Sequence, residues 1–159
     1  MDPKKKRRLA TRRARKQAES AWAAAERGEL HIALRELQRA IARRQDNPRL
    51  WNDYGVLLWQ SGQAREAIRA FRNALIFTPG YADVHAHLAE VYHGLEKTRL
   101  AAKHMRRAME LDPSTPGYRR RFEELERLDA ANEAAGEHDR DDLDDGLDDG
   151  PRTPDGITR

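Results

Sequence analysis

Between residues 14 and 130 the apolar positions fall three and four apart, in runs of about 13 residues, which is the period of helices that bury one face. The runs come in pairs. A short polar turn such as Ser61-Gly62-Gln63 divides each pair, and one pair follows the next at a fixed interval of 34 residues. The unit at 48–81 places Trp51, Gly55, Ala67, Phe71, Ala74 and Pro79 at spaced positions, and the unit at 82–115 answers with Leu88, Ala89, Tyr92, Ala101, Met105, Ala108 and Pro113, with no insertion or deletion between them. The unit at 14–47 keeps mainly the small members, Ala21, Gly28, Ala33, Leu37 and Ala40. Small residues recur where two helices of a hairpin must approach closely (Gly55 and Ala67, Ala89 and Ala101). Large ones recur where the space between must be filled (Trp51 and Phe71, Tyr92 and Met105). Asn47-Pro48 and Thr115-Pro116 each set an N-cap before proline at the first helical position, where a missing N–H costs nothing. From Pro116 onward, Tyr118, Phe122, Leu125 and Leu128 form a single apolar stripe on an otherwise charged helix, the division needed to close the open end of a stack.

These residues resemble the tetratricopeptide-repeat (TPR) pattern, W-x2-L-G-x2-Y followed by A-x3-F, a second alanine and a closing proline. The second unit departs from it at Tyr54, where the family prefers Leu, and at Leu58, where it prefers Tyr, swaps that preserve bulk. His85 and Gln17 stand in the Trp place of the third and first units, and Gln45 in the Pro place of the first. The resemblance implies an all-α solenoid of helical hairpins: three repeats at 14–47, 48–81 and 82–115, a C-terminal capping helix at 116–130, and seven helices stacked into a right-handed superhelix. Around this TPR domain at 14–130 the chain divides into a basic, disordered arm at 1–13 and an acidic, disordered tail at 131–159.

In this family the first helix of each unit lines the concave surface on which partners bind. Carried over by register, that surface comprises Arg15, Ala18, Trp22 and Ala25, then Arg49, Asn52, Val56 and Trp59, then Asp83, Ala86, Glu90 and His93. With their neighbours Asp53 and His87, the residues expected to meet a partner are Trp22, Arg49, Asn52, Asp53, Val56, Trp59, Asp83, His87 and Glu90. Trp22 and Trp59 occupy no core position of the family, so each is read either as an anchor for a partner or as packing against the next repeat, and both readings stay open. Some TPR proteins clamp the C-terminal carboxylate of a chaperone with Lys, Asn and Arg; the matching positions here are Ala18, Trp22, Asp53, Asp83 and His87. Without a cation to pair with a carboxylate, that ligand is disfavoured. An apolar peptide or helix with a basic flank, facing Asp53, Asp83 and Glu90, fits better.

Charge changes the picture at both ends. Residues 1–17 hold nine Lys/Arg against one acid, 18–132 hold eighteen against sixteen, and 133–159 hold three against ten, so a net of +3 conceals a basic start and an acidic finish. Lys4, Lys5, Lys6, Arg7, Arg8, Arg12 and Arg13 are dense enough to bind a polyanion by displacing counterions from phosphate. They support an alternative function, a nucleic-acid- or ribosome-associated factor, although no aromatic suited to base stacking interleaves with them. They also resemble a nuclear import signal. The sequence places the protein in the cytoplasm, or in the nucleus if the cell is eukaryotic.

The remaining chemistry is reached by elimination. No cysteine is present, which removes thiolate nucleophiles and thiolate metal sites. No apolar run approaches the roughly 20 residues of a membrane span, so no membrane contact is expected. His87, Glu90 and His93 lie three apart on one helix but not at the H-E-x-x-H spacing, and the Asp-rich segment 139–150 sets Leu143 in a ligand slot and Arg152 where a calcium loop needs Glu. No metal, cofactor or catalytic residue is therefore expected. The sequence reads as a non-catalytic adaptor or scaffold that binds a protein or peptide partner, with homo-oligomerisation left open.

Overall fold

The computed structural model describes residues 2–136. They form seven α-helices: α1 (Pro3–Glu26), α2 (Leu30–Arg43), α3 (Pro48–Gln60), α4 (Ala64–Phe77), α5 (Ala82–Gly94), α6 (Thr98–Leu111) and α7 (Pro116–Ala135). Helices α1 and α2, α3 and α4, and α5 and α6 pair as hairpins, and α7 packs on α6.

Close approach within a hairpin is set by residue size. An added Cβ at Gly55 of α3 would sit 2.6 Å from the Phe71 ring of α4, so the ring occupies the room that the missing side chain leaves. The turn inside each hairpin needs one left-handed residue. Gly28 and Gly62 supply it at φ of 78° and 80°, and 34 residues further on Glu96 takes the same place at φ 61°.

Two apolar clusters make up the core. One spans α3 to α7 around the fully buried Phe71, Leu88, Tyr92 and Leu125. The other joins α1, α2 and α3, and among its buried members are five alanines, Ala14, Ala21, Ala24, Ala33 and Ala40, with Leu37 and Leu57. Alanine lets α1 and α2 lie close without large side chains between them, which is why the first unit holds the repeat's spacing while losing its aromatic residues.

Three expectations need correction. The basic segment 3–13 is not a disordered arm but the first turns of α1, continuous with the first repeat. Asp2 caps it, its carboxylate accepting from the Lys4 N–H at 3.0 Å ahead of Pro3. Asp2-Pro3 is the same N-cap and proline signature as Asn47-Pro48. The closing helix α7 runs to Ala135 rather than 130 and ends on Gly136, left-handed at φ 74°. Thr115 precedes α7 but makes no side-chain cap; its hydroxyl donates instead to Asp112 at 2.6 Å. The acidic stretch from 137 onward lies outside the described residues.

Candidate functional site

Helices α1, α3, α5 and α7 form a row, each the first helix of its unit, and polar side chains link every helix of the row to the next. Trp22 of α1 stands beside Asp53 of α3, close enough to hold the carboxyl down against the effect of burial. Asn52 of α3 accepts from His87 Nδ1 of α5 at 2.9 Å. Asp83 of α5 accepts a short hydrogen bond from the Tyr118 hydroxyl of α7. Glu90 of α5 receives the Arg121 guanidinium in two parallel bonds, both 2.9 Å. The partners lie 31 or 35 residues apart in sequence, one repeat minus three or plus one, so every link runs from the same face of one helix to the same face of the next.

The residues expected to form the groove are therefore brought together, but much of their polar chemistry is turned on one another. Glu90 and Asp83, expected to meet a basic flank on a partner, hold α7 in place instead. Arg121 keeps its charge beyond the ordinary guanidinium range because Glu90 hydrogen-bonds it, and the Tyr118 hydroxyl is pushed up by burial and by Asp83. Tyr118 and Arg121 were missed as members of this row because the sequence marks α7 only as a cover for the core; its register with α3 and α5, Pro116 being 34 residues after Ala82, is the signal that places them there.

Burial tunes the two ionisable groups at the centre of the row. It pushes the Asp53 carboxyl above the usual carboxylate range, against the opposing influence of the neighbouring Trp22, the charge of Arg49 and Asn52. Burial lowers the His87 imidazole, against the charges of Asp83 and Glu90, and its ring stacks on Phe71 at a centroid distance of 5.5 Å. His87 and Glu90 are thus engaged elsewhere, and among the described residues no three His, Asp or Glu side chains gather as a metal site.

The apolar members divide. Trp59 lies over the end of α5: a Cβ at Gly94 would come within 2.5 Å of its ring edge, so this indole packs against the next repeat. Trp22, with Ala18 and Ala25, and Val56, with Ala86, sit half-buried along the same row, and Arg49 is exposed beside them.

At the start of α1, Lys4, Lys5, Lys6, Arg7, Arg8, Arg12 and Arg13 are all exposed. Helical spacing collects Lys4, Lys5, Arg8, Arg12, Arg15 and Lys16 on one side, away from buried Ala14 and Ala21. The other side is tied to the loop after α2. Arg44 bonds the Thr11 hydroxyl and pairs with Asp46 at 2.8 Å, and Arg7 reaches Asp46 at 3.7 Å. Among the described residues no helix is long and apolar enough to cross a membrane.

Comparison with known proteins agrees with this architecture. Two tetratricopeptide-repeat family models match residues 18–82 and 58–120. No curated protein matches the chain in sequence. Among solved structures, the first TPR domain of Spaghetti (RPAP3), bound to an HSP90 peptide, is similar at a TM-score of 0.70 and 16% identity, covering 76% of this chain and 95% of that one. The TPR domain of Arabidopsis OM64 is similar at 0.70 and 14%, covering 75% and 98%. The Yersinia enterocolitica secretion chaperone SycD, in complex with a peptide of the translocator YopD, is similar at 0.65 and 16%, covering 77% and 93%. At these identities the likeness is one of fold.

Proposed function

The chain belongs to the tetratricopeptide-repeat family, and on that premise we propose that it is a non-catalytic, cytoplasmic adaptor that takes a peptide or helix of a protein partner along the row α1–α3–α5. The observation that carries this reading is the arrangement of that row. Its polar side chains Asn52, His87, Asp83 and Glu90 are paired with one another or with α7, which leaves the half-buried Trp22 and Val56, with Ala18, Ala25 and Ala86 about them and Arg49 at the margin, as the contact offered to a ligand. A two-torsion aromatic such as Trp22 loses little entropy on binding and anchors well. Peptide complexes of RPAP3 and SycD lend the fold-level precedent. A terminal carboxylate is a poor fit, since Ala18, Trp22, Asp53, Asp83 and His87 hold no cation for it, and Asp83 is turned to Tyr118. An apolar segment with a carboxylate near Arg49 suits the row better than one with a basic flank.

The test is affinity capture from native lysate with the full chain, the Trp22→Ala variant, and a variant with Lys5, Arg8 and Arg12 changed to Gln, each with and without nuclease. A protein partner that survives nuclease and charge removal but is lost with Trp22→Ala supports the adaptor reading. Loss with nuclease or charge removal alone overturns it.

That second outcome belongs to a second reading, favoured by one observation: the basic residues are arrayed on a continuous helix rather than strung along a disordered arm. In it α1 binds phosphate of a nucleic acid and the repeats position it. Binding of that kind falls steeply with salt, whereas contact through Trp22 and Val56 barely responds.

A further inference from the structure

Pro116 stands 34 residues after Ala82, so α7 takes the place that the first helix of a fourth unit would hold. Its bonds from Tyr118 to Asp83 and from Arg121 to Glu90 keep it in register with α5. The positions that carry Asp83, Ala86, Glu90 and His93 on α5 are therefore filled on α7 by Gly117, Arg120, Glu124 and Arg127. The row thus has a fourth helix, and two arginines stand on its ligand side.

We propose that Arg120 and Arg127 are cations of the binding surface, and that the partner of the row is an acidic and apolar peptide segment. Its apolar side chains meet Trp22 and Val56, and its carboxylates meet Arg49 and α7. This rests on the adaptor reading of the row and names the chemistry of the partner.

The first support is which charges are left for a ligand. The acids on this side are already engaged: Glu90 and Glu124 both hold Arg121, at 2.9 and 2.8 Å, and Asp83 accepts from Tyr118. Arg49, Arg120 and Arg127 are exposed, and among the described residues none of the three forms a salt bridge. A segment laid on the row meets acids that are occupied and cations that are not.

The second support is placement. Seven residues separate Arg120 from Arg127, so the two guanidinium groups share a bearing to within about 20° and stand about 10 Å apart along α7. Glu124, between them, is turned to Arg121. Gly117, the neighbour of Arg120 one turn earlier, has nothing within 4 Å of where a Cβ would stand, so this stretch of α7 is open to a ligand. A planar guanidinium receives a carboxylate through two parallel hydrogen bonds, which makes an acidic side chain the fitting occupant. Glu123, exposed on the outer side of the two arginines, is the acid that competes with it.

The test selects phage-displayed short random peptides on the full chain at low salt, then measures the enriched peptides, synthesised and fluorescently labelled, by anisotropy. Peptides with two or more Asp or Glu beside large apolar residues should dominate. Changing Arg120 and Arg127 together to Gln should weaken them about tenfold, and changing both to Lys should keep most of the affinity. Glu123→Gln should strengthen binding, and Trp22→Ala should abolish it. Both arginines are exposed, so the native melting temperature should be retained in these variants. Enriched peptides that need Trp22 but carry no acidic excess, or that ignore the loss of Arg120 and Arg127, would overturn the proposal and leave the adaptor reading standing. Acidic peptides that are lost instead when Lys5, Arg8 and Arg12 are changed to Gln sit on α1 and overturn it as well. If no enriched peptide depends on Trp22, the adaptor reading and this proposal fall together.

Discussion

His87 Nδ1 on α5 lies 2.9 Å from Asn52 Oδ1 on α3, and because a carboxamide oxygen can only accept, the neutral imidazole holds its proton on Nδ1. Burial disfavours the charged ring. Its folded pKa is therefore below the unfolded value of about 6.5, so its contribution to stability is complete above that value and is lost as pH falls through it. Denaturant midpoints taken between about pH 8 and about pH 5 should fall more for the native chain than for His87→Gln, which cannot titrate.

Asp53 has the opposite sign. Its carboxyl is raised in the folded state, so the contribution it makes when protonated is present below the unfolded value of about 3.9 and lost as pH rises. Asp53→Asn should accordingly raise stability at neutral pH, and the gain over the native chain should vanish below about pH 4. Thermal melts at the two pH values check it.

Glu96 stands where Gly28 and Gly62 stand in the earlier repeats, with its Cβ in the left-handed region. Glu96→Gly should stabilise the fold by about 1 kcal/mol, less the entropy glycine adds to the unfolded chain. The melting temperature should rise by about 2–4 °C. A fall would show that Glu96 makes a contact worth more than its backbone strain.

Gly55→Ala should destabilise by about 1–3 kcal/mol, because the Phe71 ring must move out of a buried site. Gly117→Ala on α7, where nothing lies within 4 Å of the added carbon, is the control and should be neutral or slightly stabilising. Urea denaturation of both variants separates packing from helix propensity.

Arg121 and Glu90, 24% and 44% exposed, are half screened by solvent. A double-mutant cycle with Arg121→Gln and Glu90→Gln should give a coupling of about 0.5–1 kcal/mol. Arg121→Gln alone should also weaken the hold of α7 on α5, read as faster amide exchange at the start of α7.

The spacing of Gly55, Phe71, Ala89 and Met105 was enough to set the repeat length and the hairpins, because small against large at a close helix crossing is a local rule that a sequence states directly. The direction of Glu90 was not legible. Its place on the inner face follows from register, but whether a carboxylate there meets a ligand or Arg121 depends on a helix that the pattern marks only as a cover. Trp59 is similar: the sequence puts it beside α5 without saying that Gly94 leaves room for its ring. The helical state of residues 3–13 was concealed by charge density, which reads as solvation and disorder, although Asp2-Pro3 carried the same start signal that was recognised at Asn47-Pro48.

A helix that begins at Pro3 and enters the first repeat without a break turns the basic segment from a string into the outer part of a rod about 36 Å long. Its charges consequently have a phase. One residue inserted near Ala10 would swing Lys4, Lys5 and Arg8 by about 100° around the axis relative to Arg12, Arg15 and Lys16, while seven would carry them about 10 Å outward and return them to within about 20° of their original bearing. A flexible leash would register neither change. On this molecule, whatever meets the outer end of α1 is held at a set distance and bearing from whatever lies on the inner helices.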